Sequence, residues 1–154
     1  MKSKINIING PNLNKLGIRE PDKYGTLSLK ELEKICSETC IDLGFDFTFF
    51  QSNVEGEIVD SIHKAIDENS DAIIINAAAY THTSIAIFDA LQMFQGIIIE
   101  VHITNIHSRE SFRHNSFISK VAHGVIAGFV VVMSLDSIKL KFSFLFDLSI
   151  DNFS

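Results

Sequence analysis

Three unbroken apolar runs narrow the fold of this chain more than any other feature: "AIIIN" at 72–76, "IIIEVHI" at 97–103 and "GVIAGFVVV" at 124–132. A strand with one wet face alternates apolar and polar residues. A run that is apolar at nearly every position suits a strand covered on both sides, as in parallel sheets. Two further segments, "KINII" at 4–8 and "FDFTFFQ" at 45–51, complete a set of five strands. Helical patterns lie between them at 28–44, at 56–69 and around 83–95. The first is punctuated at both ends. Ser28 and Glu31 have capping-box spacing, Leu29, Leu32, Cys36, Cys40 and Leu43 recur at helical intervals, and Gly44 stops it. In the second, Ile58, Val59, Ile62, Ala65 and Ile66 share a face, and a short helical turn is expected near 109–116. Strands alternating with helices predict an α/β fold with a parallel sheet covered on both faces. With 154 residues and no linker, repeat or low-complexity tract, one domain spanning 1–154 is expected.

Composition removes several function classes. A net charge of −6 without a basic block argues against a nucleic-acid partner. No segment approaches the ~20 apolar residues of a membrane span. The N-terminal apolar run is five residues long and broken by Asn6, unlike a signal peptide, so a cytoplasmic protein is expected. Cys36 and Cys40 are four apart, which is not CxxC, and two thiols do not complete a structural zinc site. They read as small core residues in a reducing compartment. Neither the dinucleotide fingerprint G-x-G-x-x-G nor the P-loop is present, and Ser84 in "THTS" has no nucleophile elbow.

In open parallel sheets ligands bind beyond the carboxyl ends of the strands. Those ends carry Asn9 and Asn12, Gln51 and Ser52, Asn76, and His102 and Thr104, either as ordinary loop polarity or as a site. Glu100 and His102 are two apart on a strand and so point to one face. A carboxylate beside an imidazole fixes its tautomer and keeps it protonated, which suits a general acid; the other reading is a structural pair at a sheet edge, though both groups are costly to bury without partners. In "REPDKYG", Arg19 and Tyr24 are either solvated loop residues or a pair in which the cation favours the phenolate. Arg109 and Arg113 fall on one helical face by spacing, paired either with surface acids such as Glu110 or with a small anionic ligand. The "HITN" segment can offer backbone N–H groups to an anion.

Taken in order, "INGPNLNKLGIREPDKYG", "FFQSNVEGEIVDSI", "YTHTSIAI" with "DAL", and "IEVHITNIHSRESFRHNS" closely resemble the type II 3-dehydroquinate dehydratases, from about Ile5 to Gly128. The resemblance implies a flavodoxin-like three-layer sandwich with a five-stranded parallel sheet in order 2-1-3-4-5. It also implies a homo-oligomer, a dodecamer of four trimers. The implied reaction removes water from 3-dehydroquinate to give 3-dehydroshikimate through an enolate, with no metal and no organic cofactor. Carried onto matching positions, Tyr24 is the base, Arg19 favours its phenolate, and Asn12 stabilises the enolate through an ordered water. His102, supported by Glu100, protonates the departing hydroxyl. Asn76, His82, Arg113 and the backbone of Ile103 and Thr104 match substrate-binding positions, and Asp89 matches one that reaches across the trimer interface.

The chain departs from the family pattern in three places. Ala77-Ala78 stand where Pro-Gly is usual, and Phe88 where arginine is common. Residues 129–154 form a divergent C-terminal segment, without the expected Gly-rich turn and Ala/Leu-rich final helix. A flavodoxin-like binding module without catalysis and a catalytically impaired family member are the competing readings.

Overall fold

The computed structural model describes residues 2–18 and 26–128. Within them five strands run β1 (Lys4–Asn9), β2 (Asp46–Gln51), β3 (Ala72–Asn76), β4 (Ile97–His102) and β5 (Gly124–Ala127). All pair in parallel, in the order β2-β1-β3-β4-β5. This is the expected arrangement. Three α-helices connect them: α1 (Leu29–Asp42), α2 (Glu55–Asp67) and α3 (Ile85–Met93). The expectations for Arg19, Tyr24 and the segment 129–154 lie outside the described residues.

Helix α1 starts where its sequence says it should. The Ser28 hydroxyl accepts from the Glu31 N–H at 3.2 Å, and the Glu31 carboxylate accepts from the Ser28 N–H at 2.8 Å, satisfying two otherwise orphaned donors. It ends beyond Asp42, where Gly44 at φ +77° lets the chain reverse. Helix α3 is shorter than the 83–95 expected. Ser84 caps it by accepting from Ile87 N–H at 2.9 Å, and a 3₁₀ turn over Ala78–His82 fills the gap after β3.

The sheet is apolar on both faces. On one, Ile8, Ile73, Ile75 and Ile98 pack against Ile58 and Ile62 of α2 and Ile87 and Leu91 of α3. Burying each such isoleucine contributes about 1.5–3 kcal/mol. On the other, Ile5, Ile7 and Ile74 meet Cys36 and Cys40 of α1. Both cysteines are free, and burial pushes their thiols up to about 12 and about 11, so they serve as small apolar side chains. The two-residue alternation along β4 places Ile97, Ile99 and Val101 toward the α1 face and Ile98 toward the α2/α3 face. Register then aligns the polar strand ends: Asn9 stands level with both Gln51 and Asn76.

One local expectation is met only in part. The short helical turn expected near 109–116 is present as a 3₁₀ turn, Ser111–Arg113, but it leaves out Arg109, so the two arginines do not share one helical face. The stretch after β4 is three separate 3₁₀ turns, Ile106–Ser108, Ser111–Arg113 and Ile118–Lys120. Short polar side chains compete with helical backbone bonds there. Asn105 Oδ1 accepts from His107 N–H at 3.0 Å, and Ser116 Oγ accepts from Ser119 N–H at 3.0 Å.

Candidate active site

A cavity of about 90 Å³ opens at the carboxyl ends of the strands. It gathers most of the residues singled out in the sequence: Asn12 after β1, Asn76 at the end of β3, His82 in the following turn, His102 ending β4, and Ile103, Thr104 and Arg113 beyond it. Arg109, noted for its pairing with Arg113, lines the same space. Glu100 stands behind His102, fully buried. Asp89 lies elsewhere, on the exposed side of α3.

The loop that carries Asn12 is held from the ends of two strands, β2 and β3. Asn12 has a left-handed backbone (φ +67°) and donates its N–H to Asn53 Oδ1 at 2.9 Å. Gln51, at the end of β2, donates to the same Asn53 oxygen at 3.2 Å and to Gly10 O at 3.1 Å. From the β3 side the Tyr80 hydroxyl donates to Asn53 O at 2.9 Å, and Gly10 N–H donates to Asn76 O at 2.7 Å. Gly10 is required by space: a Cβ there would lie 2.4 Å from Ala77 O. Asn76 in turn accepts from Ala78 N–H at 3.2 Å. Ala78 takes φ +51°, a left-handed conformation that favours glycine.

Two histidines face each other across the site, ring centroids 6.4 Å apart and nearly parallel at 14°. His82 Nδ1 lies 2.8 Å from Asn115 O, so that nitrogen carries the proton and Nε2 is left as an acceptor. Burial holds its pKa below the ordinary value, outweighing the Asn115 carbonyl, which acts in the other direction. His102 Nε2 lies 2.7 Å from Glu100 Oε1, which leaves Nδ1 as the ring nitrogen for a ligand.

The Glu100 carboxylate has further donors. Ser116 Oγ donates to Oε1 at 2.6 Å, and Ser119 Oγ donates to Oε2. Burial pushes this carboxylate upward, but His102 and the two serine hydroxyls together hold it below its ordinary value. It therefore stays ionised, and His102 must donate to it. Neither serine stands out in the sequence, since no spacing relates it to Glu100 on a distant strand. At the rim, Glu110 accepts from Arg113 Nε at 3.0 Å and pairs with Arg109 Nε at 3.4 Å. Both arginines thus have an acidic partner, as one of the two readings expects, and both also stand on the cavity wall.

The cavity joins a fixed carboxylate–imidazole pair, amide side chains and guanidinium groups. That combination suits proton transfer on a small anionic substrate. The family model described as dehydroquinase class II matches residues 3–138. The chain belongs to the class II dehydroquinase family. A 3-dehydroquinate dehydratase of Cereibacter sphaeroides is 54% identical over 129 residues, covering 84% of this chain and 87% of its own. A catabolic 3-dehydroquinase of Debaryomyces hansenii is 53% identical over 128 residues, covering 83% and 89%. The crystal structure of the type II dehydroquinase of Butyrivibrio crossotus superposes with a TM-score of 0.85 at 41% identity, covering 94% of this chain and 97% of that one. Within this family the chain has the sheet order β2-β1-β3-β4-β5 and holds Ala78 in a backbone conformation that favours glycine.

Proposed function

We propose that this chain is a 3-dehydroquinate dehydratase, a hydro-lyase that eliminates water from 3-dehydroquinate through an enolate to give 3-dehydroshikimate. The observation that carries the reading is the buried Glu100–His102 pair at 2.7 Å on the wall of a cavity that also holds Asn12, Asn76, His82 and Arg113. Family membership supports it over most of the chain.

In this reading Tyr24, with its phenolate favoured by Arg19, removes a proton from the carbon beside the ketone. The electron pair moves into the enolate, whose charge is stabilised from Asn12 through an ordered water. Collapse of the enolate expels the hydroxyl on the next carbon, and His102, as an imidazolium whose Nε2–H is held by Glu100, gives it the Nδ1 proton as it leaves, so water departs and the conjugated ketone remains. Glu100 keeps the imidazole oriented for that transfer. Asn76, His82 and Arg113 bind hydroxyl and carboxylate groups of the substrate, and the backbone N–H groups of Ile103 and Thr104 assist. His82 Nε2 is suited to accept from a substrate hydroxyl, because Nδ1 is committed to Asn115 O.

The proposed route uses no metal and no organic cofactor. The proposed assembly is a homo-dodecamer of four trimers in the cytoplasm, with Asp89 reaching a neighbouring subunit. Its exposure on α3 beside the exposed Ile85 and Met93 is compatible with such a contact. No helix among the described residues is long and apolar enough to cross a membrane. Purified protein given 3-dehydroquinate tests the reading directly. Growth of the near-ultraviolet absorbance of the conjugated product is expected, and a flat trace at substrate saturation refutes it.

A further inference from the structure

Residues 116–119 return the chain to the back of the active site, and two hydroxyls arrive there together. Ser116 Oγ donates to Glu100 Oε1 at 2.6 Å and Ser119 Oγ donates to Glu100 Oε2. Ser116 is itself fixed, because its oxygen accepts from Ser119 N–H at 3.0 Å. Ser116 is buried and Glu100 is 0% exposed, so bulk water does not take the place of the Ser116 hydroxyl, while Ser119 reaches the carboxylate from an exposed position. Glu100 Oε1 also faces His102 Nε2 at 2.7 Å.

From this geometry we infer that Ser116 and Ser119 are positioning residues: they fix the Glu100 carboxylate from behind, so that its acceptor holds the proton on His102 Nε2 and presents Nδ1 to the substrate. A carboxylate held only by an imidazole can rotate about its last bond and swing the ring with it. Donors on both oxygens remove that rotation. An ionised carboxylate accepts from all three partners, whereas a protonated one would have to turn one oxygen into a donor. Neither hydroxyl touches the cavity; both act through Glu100. The serines therefore set the geometry of the acid without binding substrate.

The inference rests on the assignment of His102 as the acid for 3-dehydroquinate, and the test separates the two. Ser116→Ala, Ser119→Ala, the double variant and Ser119→Thr are prepared as full chains with nitrogen-15-labelled histidine. The His102 ring signals are assigned by their loss in His102→Gln. Recorded with the His102 ring in its neutral form, after the Nδ1 proton has been given up, the unaltered chain is expected to show one protonated and one bare nitrogen, the Nε2–H form. In the alanine variants these two signals move toward each other as the tautomers mix. With 3-dehydroquinate, kcat is expected to fall roughly ten- to a hundredfold for the loss of a hydrogen bond to a charged group, while KM stays near its original value. Ser119→Thr, which keeps a hydroxyl at the partly exposed position, is expected to restore both readouts.

Alanine variants that keep kcat and the Nε2–H pattern overturn the inference, as does a kcat loss that threonine fails to restore. A drop in melting temperature with no change in either readout also overturns it, by assigning the serines a structural role alone. If Ser116→Ala does not fold, Ser119→Ala and Ser119→Thr decide by the same criteria. If the unaltered chain fails to turn over 3-dehydroquinate, the functional reading falls, and the nitrogen-15 pattern still decides whether the serines position His102.

Discussion

Replacing Ala78 with glycine is expected to help the fold, whereas the same change one residue earlier is expected to harm it. Ala78 sits at φ +51° and is half-buried. Holding an L-residue in the left-handed region costs about 1–2 kcal/mol, which glycine avoids. Against this, glycine makes the unfolded chain more flexible, a loss of about 0.4–1 kcal/mol, and a half-exposed methyl is worth at most a few tenths of a kcal/mol. The Ala78 N–H bond to Asn76 is made by backbone and survives. The net is a stabilisation of about 0.5 kcal/mol from these opposing magnitudes.

Ala77 has no strain to relieve: its φ is −72° and it is 1% exposed. Ala77→Gly loses a buried methyl as well as rigidity and should destabilise by about 1–2 kcal/mol. The two variants should therefore differ by roughly 1.5–2.5 kcal/mol, the sum of these effects. Urea unfolding monitored by circular dichroism reads that difference at a common m-value. Equal midpoints for the two variants, or a lower midpoint for Ala78→Gly than for Ala77→Gly, would refute the claim that Ala78 is strained.

Other expectations follow from single features of the site. Gly10→Ala would place a Cβ 2.4 Å from Ala77 O; a loss of about 1–3 kcal/mol from overpacking is expected in the same urea assay, with activity falling as Asn12 and Asn76 move. Glu100→Gln removes the charge but keeps the shape, and kcat should fall by roughly one to two powers of ten, as for a lost charge-assisted hydrogen bond. Because the folded state holds the Glu100 carboxyl below its ordinary value of 4.5, its contribution to stability is full above that value and is lost as pH falls through the lower folded value. The stability gap between the unaltered chain and Glu100→Gln should therefore shrink on acidification, and a gap that is constant from neutral to acid pH would contradict the assignment. His82 works in the corresponding way for a base. Burial lowers its pKa below 6.5, so the folded state is penalised as pH falls through 6.5, and His82→Gln should flatten that part of the stability profile.

The parts of the fold legible in the sequence are those set by local chemistry or by strand burial. The Ser28–Glu31 capping box and the Gly44 stop involve neighbours in sequence and appear as expected. The run "AIIIN" had to be a doubly covered strand, and every residue of β3 is buried. Glu100 and His102 were legible as a pair because strand alternation alone puts them on one face. What the sequence did not reveal depends on the chain returning from a distance. Ser116 and Ser119 reach Glu100 across sixteen and nineteen residues, and Asn53 reaches Asn12 across forty-one; no periodicity marks such meetings. The turn expected near 109–116 is there over Ser111–Arg113, but the common helical face expected for Arg109 and Arg113 is not, for a different reason. Asn105, Ser108 and Ser116 bond to nearby backbone and break that stretch into 3₁₀ turns, and the arginines converge on the cavity nonetheless.

The assignment of His102 as the acid that assists departure of the hydroxyl is the centre of this account, and one variant isolates it. His102→Ala is incubated with 3-dehydroquinate in deuterated water, and proton NMR follows both the signal beside the ketone and the appearance of 3-dehydroshikimate. Removal of the proton precedes loss of the hydroxyl in the proposed route, so the ketone-side signal should continue to exchange while product formation slows by roughly two to four powers of ten, the usual contribution of a general acid. Product formation at the rate of the unaltered chain would contradict the assignment.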